Sequence, residues 1–243
     1  MSRTATGLLA AVLLVGGCTS SGDPAPTGSA GARVPGAATT AALDGTDAAA
    51  LLSRATAQAK AARSGAFAGT IRDQGEQATV AFLGTSDGSS VDVRKAAAKA
   101  GTVRLISVDG TVYVKADDTF WSSQNVPFIV SLAGGKFIKV PAGVVPVLGE
   151  LTLASFVDRS IATFPATDLS DTVGEETVNT IPSWVLTTTS GEPKDGALYV
   201  SKETSEVIRW IGTSAHPGQL DFSRWNVDLG IAPPPGDQVF SIG

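Results

Sequence analysis

The chain is poor in the side chains that carry out covalent chemistry: its 243 residues include one Cys, one His, one Met and two Tyr. A single Cys cannot close an intramolecular disulfide, and one Cys with one His cannot supply the three or four ligands of a zinc site. Metal, thiol and His-triad catalysis are therefore mostly excluded. Charge is also scarce, at 17% of residues against roughly 25% in an average soluble protein. The 18 Lys and Arg are outnumbered by 23 Asp and Glu, so no basic surface neutralises a phosphate backbone, and nucleic acid is not an expected partner. What is present is 43% hydrophobic residues with 27 Gly and 13 Pro, the composition of a folded protein. The part beyond residue 46 has the size of one domain with one core.

Arg3 precedes the apolar run Leu8-Leu9-Ala10-Ala11-Val12-Leu13-Leu14-Val15, which is too short to span a bilayer and has the length of a signal-peptide core. The run ends in Val15-Gly16-Gly17-Cys18. This resembles the lipobox of bacterial lipoproteins, in which the Cys takes diacylglycerol and becomes the first mature residue. The chain's one Cys stands where that chemistry needs it; an ordinary secretory signal that happens to precede a Cys, or a buried core Cys, is the alternative. The resemblance implies a signal peptide over 1–17 and covalent diacylglycerol on Cys18, with no other cofactor. It implies export to the outer face of the cytoplasmic membrane and a membrane partner through the lipid anchor. Two or three acyl chains hold a protein on a membrane where one does not.

From residue 18 to 46 the chain is Ser, Thr, Gly, Ala and Pro with few large apolar side chains, too little to offset the entropy of ordering. It reads as a flexible tether that lets the domain float on the order of 30 Å from the membrane. The folded domain is expected over 47–243.

Asp47 is a helix N-cap candidate, with Leu52, Ala55, Ala59 and Ala62 on one stripe of a helix to about Arg63. The period then changes to two: Ala78, Val80 and Phe82, then Val91 and Val93, alternate with polar or small residues. Asp109-Gly110 joins Val103 to Val108 and Thr111 to Lys115 as a hairpin, and Thr119 to Ser122 reads as the next strand. Val126 to Leu132, Gly134-Gly135, Lys136 to Val140 and Pro141 to Gly149 read as irregular apolar loops and short helices. Thr152 can cap a helix with Leu153, Phe156, Val157, Ile161 and Phe164 on one side, stopped by Pro165. Strands return at Ser183 to Thr189, Ala197 to Ser201, Val207 to Thr213 and Gln219 to Asn226, until Pro233-Pro234-Pro235 blocks a further central strand. The expected fold is α+β: a strongly curved antiparallel sheet, an open half-barrel, with helices covering its concave face. The helices are few for so much sheet, so a cavity is expected unless they pack very well.

Asp109 to Lys115, Phe120-Trp121 and Leu132-Ala133-Gly134-Gly135-Lys136-Phe137-Ile138-Lys139-Val140, followed by Gly196 to Ser201, Val207-Ile208-Arg209-Trp210 and Phe222 to Asn226, resemble actinobacterial lipoproteins of the LppX/LprG type. These are similar in fold to the LolA and LolB lipoprotein carriers. The resemblance implies an unclosed barrel with helices in its mouth and an apolar pocket for lipid acyl chains.

Gly84-Thr85-Ser86-Asp87-Gly88 matches the Gly-x-Ser-x-Gly elbow of α/β-hydrolases, but such an elbow needs a helix after it and a His base. Here a strand pattern continues instead, and His216 sits in a turn-like stretch beside Pro217. Glu175 and Glu176 are adjacent, so in a strand they point to opposite faces, a solvated edge rather than a carboxylate pair. The chain therefore reads as no enzyme. It reads as an envelope lipoprotein that binds acyl chains and carries or chaperones lipids or lipoproteins, with a lipid or glycolipid ligand and an envelope transporter as a further partner. The alternative is an interaction lipoprotein with a filled core. Pocket candidates are Val80, Phe82, Val91, Val93, Leu105, Val112 and Val114 on the sheet, and Phe128, Val130, Val144, Leu148, Phe156, Val157 and Ile161 on the cover, with Trp184, Leu186 and Trp210.

Overall fold

The computed structural model describes residues 47–73, 76–86, 88–95, 101–123, 128–141, 152–161, 164 and 168–240. Helix α1 (Ala48–Ala61) starts where the Asp47 carboxylate accepts from the Ala50 N–H, and it buries Leu51, Leu52, Ala55 and Ala59. The small Ala55 and Ala59 belong to the apolar cluster that α1 shares with the sheet.

Twelve strands form one sheet: β1 (Ser64–Asp73), β2 (Glu76–Thr85), β3 (Gly88–Lys95), β4 (Thr102–Val108), β5 (Thr111–Ala116), β6 (Phe137–Pro141), β7 (Gly174–Val178), β8 (Ile181–Thr187), β9 (Ala197–Ser201), β10 (Val207–Ile211), β11 (Gly218–Ser223) and β12 (Val239–Phe240). Their order is β12-β6-β5-β4-β3-β2-β1-β11-β10-β9-β8-β7. All pairs are antiparallel except β12 on β6, and the outer strands β12 and β7 do not pair, so the sheet is open, as expected. Among the described strands, two meanders, β1 to β6 and β7 to β11, meet only at the antiparallel seam of β1 and β11.

This order makes the cover. Strands β6 and β7 are consecutive in sequence yet lie ten strand spacings apart, roughly 48 Å if the sheet were flat. The described residues of the chain between them, 152–161, 164 and 168–173, lie over the sheet as a strap, with Leu153, Val157, Ile161 and Phe164 in its apolar cluster. Helix α4 (Leu153–Phe156), continued by a π turn (Val157–Ile161), is part of that strap and packs on α1 and β2. Val112 of β5 and Leu198 and Val200 of β9 share one apolar cluster with α1 and α4. Strands far apart in the sheet thus close on the same helices, which requires a strongly curved sheet.

Three local features depart from the sequence pattern. Thr119 to Ser122, expected as a strand, belongs to helix α2 (Asp118–Ser123). The Asp117 carboxylate caps it by accepting from the Phe120 N–H while also holding the Thr102 N–H, both at 2.8 Å. Phe137 to Val140, expected as irregular, belong to β6, and Lys136 is in the turn before it. Helix α3 (Phe128–Ala133) ends at Gly134 and Gly135, both at positive φ, and the alternating residues that follow pair with β5. Strand β1, at the centre of the sheet, was not expected: its Ser-Gly-Ala-Phe-Ala-Gly-Thr-Ile sequence is low in β-formers. It is held by pairing on both sides.

In β10 a bulge sets Ile208 and Arg209 against Tyr199. Val207 and Trp210, three residues apart, therefore both join the concave core, while Ile208 faces the other way. There Val178, Val185, Ala197, Tyr199 and Ile208 form a second, small core. Burial, and then Glu176, push the Tyr199 hydroxyl above its usual pKa.

Two hairpins use two-residue turns with positive φ: Asp109-Gly110 at 50° and 68°, and Asn179-Thr180 at 50° and 69°. Gly fits the second position, but a β-branched Thr is strained there. Thr180→Gly is expected to raise stability by roughly 0.5–1 kcal/mol, read as a higher urea midpoint with an unchanged slope.

Candidate functional site

The site is the concave face and its cover. Val80, Phe82, Val91, Val93, Leu105, Val112 and Val114 all point to this face and are more than nine-tenths buried, as are Val157, Ile161, Leu186 and Trp210. Phe156 and Trp184 are half-buried and pack against the same cluster. Trp184 also lies under Lys202, whose Nζ is 4.0 Å from the ring centroid. Val130 of α3 is half-buried and is not in that cluster. Val144, Leu148, Cys18 and the side chain of Phe128 lie outside the described residues, as do the expected signal and tether.

Phe156 occupies the middle. Its ring stacks on Phe67 at 4.0 Å and reaches Phe222 at 5.9 Å and Phe82 at 6.0 Å. Phe67 stacks in turn on Phe82, and Phe222 on Trp225. The Trp225 indole donates to the Val207 carbonyl at 3.0 Å, which satisfies its buried N–H. Sequence reasoning did not single out Phe67 or Phe222. Leu220 and Phe222 alternate in β11, a signal that was available, whereas Phe67 is embedded in Gly and Ala.

At one end of the strands a row of small residues crosses the face: Gly65 pairs with Gly84, Gly84 with Ser89, and Ser89 with Ser107. The two glycines receive Leu153 of α4. A Cβ at Gly65 would lie 2.9 Å from the Trp225 ring and 3.3 Å from Leu153, and one at Gly84 would strike the Phe82 ring. Ser89 is fully buried, and its hydroxyl has no hydrogen-bond partner among the described residues. Leaving a buried hydroxyl unpaired costs about 1–3 kcal/mol.

Two hollows bear on a ligand. One, between the end of α1 and β10 beside Ala59, Val207 and Trp225, is a crevice with no room for a water molecule. The other, of about 470 Å³, is an open surface depression beside Arg63, Thr85 and Asp228. Neither is an apolar cavity between the sheet and its covering helices of the kind expected on sequence. Along the described strap the space is taken by Leu153, Phe156, Val157 and Ile161.

The hydrolase-like motif has no elbow geometry: β2 ends at Thr85, Ser86 lies in the bend, and β3 begins at Gly88. His216 sits in the turn between β10 and β11, next to the Ile71 end of β1, whereas Thr85 pairs with Ser64 at the other end. The two sites are roughly 23 Å apart along the strand. Glu175 pairs with Lys202, while Glu176 acts on Tyr199 across the sheet, so the carboxylates do point to opposite faces. Among the described residues there is no group of three metal-ligating side chains, and no helix is long and apolar enough to cross a membrane.

No protein-family model matches the chain, and no curated protein matches it. Solved structures do. LprF from Mycobacterium bovis aligns over 78% of this chain and 97% of its own, with 14% identity and a TM-score of 0.48. An uncharacterised conserved protein from Thermus thermophilus aligns over 78% and 96%, with 13% identity and a TM-score of 0.38. MucB of Pseudomonas aeruginosa, in its complex with MucA, aligns over 81% and 61%, with 17% identity and a TM-score of 0.32.

Proposed function

We propose that this is an exported protein, lipidated at Cys18 and held at the outer face of the cytoplasmic membrane by the 18–46 tether. Its concave face takes the acyl chains of a lipid or glycolipid, which it carries or chaperones without covalent chemistry. The observation that carries this reading is the nature of the cover. An apolar face contributed by strands from both halves of the sheet is overlaid by a strap whose described core is a four-residue α turn run into a five-residue π turn. π turns are rare and cluster at functional sites, and so short an element can lift as a unit without unravelling the sheet. When it lifts, acyl chains replace the side chains of Leu153, Phe156, Val157 and Ile161 on the sheet. The Ser89 hydroxyl, unpaired among the described residues in the closed form, then has a carbonyl oxygen to bond.

The energetics permit release. A 16-carbon chain represents roughly 12 kcal/mol against water, but its transfer from a bilayer to an apolar protein face is nearly balanced. An envelope transporter that accepts the cargo is the partner this reading adds.

A second reading, an interaction lipoprotein with a filled core, is favoured by the seating of Phe156 on Phe67 at 4.0 Å. Native mass spectrometry and solvent extraction of the chain purified from a lipid-containing host separate the two. The carrier reading expects bound lipid, or uptake of added lipid with a discrete mass increment. A chain that neither retains nor takes up lipid leaves the interaction reading.

A further inference from the structure

The charges of this chain are sorted along the sheet. Residues 88 to 141, which contain β3 to β6 with α2 and α3, carry seven Lys and Arg against four Asp, whereas residues 171 to 223, which contain β7 to β11, carry three against eight Asp and Glu. The last strand, β12, returns to β6 and brings the exposed Asp237 to the first group. One end of an acidic protein is therefore basic.

Within the basic end, Arg104 is held by Asp92 through two hydrogen bonds at 2.5 and 2.9 Å and is not free to attract a partner. The carboxylate of Asp117 is taken up by the backbone N–H groups of Thr102 and Phe120. Asp109 sits in the hairpin turn between β4 and β5, at the far end of β5 from α2, and Asp118 is exposed in the first turn of α2. Lys115, Lys136 and Lys139 are exposed and form no ion pair among the described residues. Lys115 and Lys139 lie on the adjacent strands β5 and β6, just inside the two-residue edge strand β12, and Lys136 precedes β6. Lys115 Nζ is 5.5 Å from the Phe137 ring, Lys139 pairs with Tyr113, and Lys136 closes the turn after α3 by donating its N–H to the Ala133 carbonyl at 3.0 Å.

The same edge exposes apolar surface. Leu132 of α3 is 51% exposed, the most exposed large hydrophobic side chain among the described residues, and Ile129 and Val130 of the same helix are half-buried. Leu132 is thus an exposed apolar side chain four residues before an exposed lysine, with two more exposed lysines on the strands that follow and precede its helix. That is the chemistry that sits in a lipid headgroup layer, the apolar group entering the acyl boundary and the ammonium groups meeting anionic headgroups.

We infer that the α3 and β6 edge, through Leu132, Lys115, Lys136 and Lys139, is a docking surface for an anionic lipid bilayer. It orients the domain with the acidic β7 to β11 half away from the membrane. A protein partner would need matched acidic contours, whereas a bilayer needs only the sign of charge and a shallow apolar contact, which is what a six-residue helix offers. Binding is therefore weak, reversible and salt-dependent, and it does not depend on whether the concave face holds lipid.

The test is co-sedimentation of the full chain with phosphatidylcholine vesicles, with and without phosphatidylglycerol as about a third of the lipid. Residues 1–46 are common to all variants, so comparing each variant with the wild type on the same vesicles cancels what they contribute. The wild type is expected to prefer anionic vesicles and to lose that preference at high salt. Each lysine near an anionic surface contributes about fivefold, so the combined Lys115→Gln, Lys136→Gln and Lys139→Gln variant is expected to lose on the order of a hundredfold of it. Leu132→Ser should weaken binding to both compositions. Lys194→Gln with Arg224→Gln, at the acidic end, should change nothing. The inference is overturned if the wild type shows no preference, if the triple variant keeps it, or if the control pair lowers it as much.

Discussion

Gly69→Val is expected to disrupt the protein, costing about 4 kcal/mol or preventing folding, because its Cβ would be driven into the backbone carbonyl of Gln219. The opposing atom is main chain in a paired strand, so no side chain can swing aside. Gly69 faces Leu220 across the seam of β1 and β11, where, among the described strands, the two meanders are hydrogen-bonded to each other. Glycine in a strand interior marks a tight bend or a close backbone approach, and here it permits the curvature that brings both halves onto α1 and α4. Urea unfolding followed by tryptophan fluorescence measures the loss. Gly110→Ala is the contrast: φ there is +68° but no atom lies within 4 Å of the added Cβ, so the cost is only the left-handed strain of about 1 kcal/mol. If Gly69→Val behaved like Gly110→Ala, the seam would be more compliant than its geometry indicates.

Phe156→Ala is the second large effect. The ring is the link between the strap and the aromatic floor of Phe67, Phe82 and Phe222, and removing it leaves Val157 and Ile161 to hold the π turn. Full burial of a Phe is worth about 3–5 kcal/mol on truncation; for this half-buried ring about 2–3 kcal/mol is expected. Because the sheet is untouched, the far-UV circular dichroism should remain while proteolysis within 152–161 accelerates. A loss below about 0.5 kcal/mol, the range of ordinary surface substitutions, would mean that the strap is held elsewhere. In a carrier the same change should also speed lipid exchange.

The sequence made the peripheral strands easier to read than the central one. The alternation of β2, β4 and β5 is strong because each has one wet face, and Asp109-Gly110 marks its hairpin without ambiguity. Strand β1 carries the opposite signature: close approach at Gly65 and Gly69 removes the β-branched residues by which a strand is recognised. Helix α2 was misread because Asp117, its cap, follows immediately on a strand and looks like a turn residue. The bulge at Ile208 and Arg209 is invisible to a period-two reading, and so is the convex core it serves.

The concave residues were legible as one apolar face. How the strap would occupy that face was not, because it depends on Phe156 meeting Phe67 and Phe222, which are 89 and 66 positions away in the chain. No local pattern records such a meeting.

The seam of β1 and β11 also sets the order of assembly. Residues 64–73 emerge early and can pair at once with β2, yet their other edge waits for β11, whose Phe222 lies opposite Phe67. That partner arrives about 150 residues later, and such distant pairing slows folding to milliseconds or seconds. Until then the nascent chain presents a bare central strand beside exposed aromatics, a template for intermolecular association. Refolding yield is therefore expected to fall as protein concentration rises, because association at the bare edge of β1 competes with the late docking of β11.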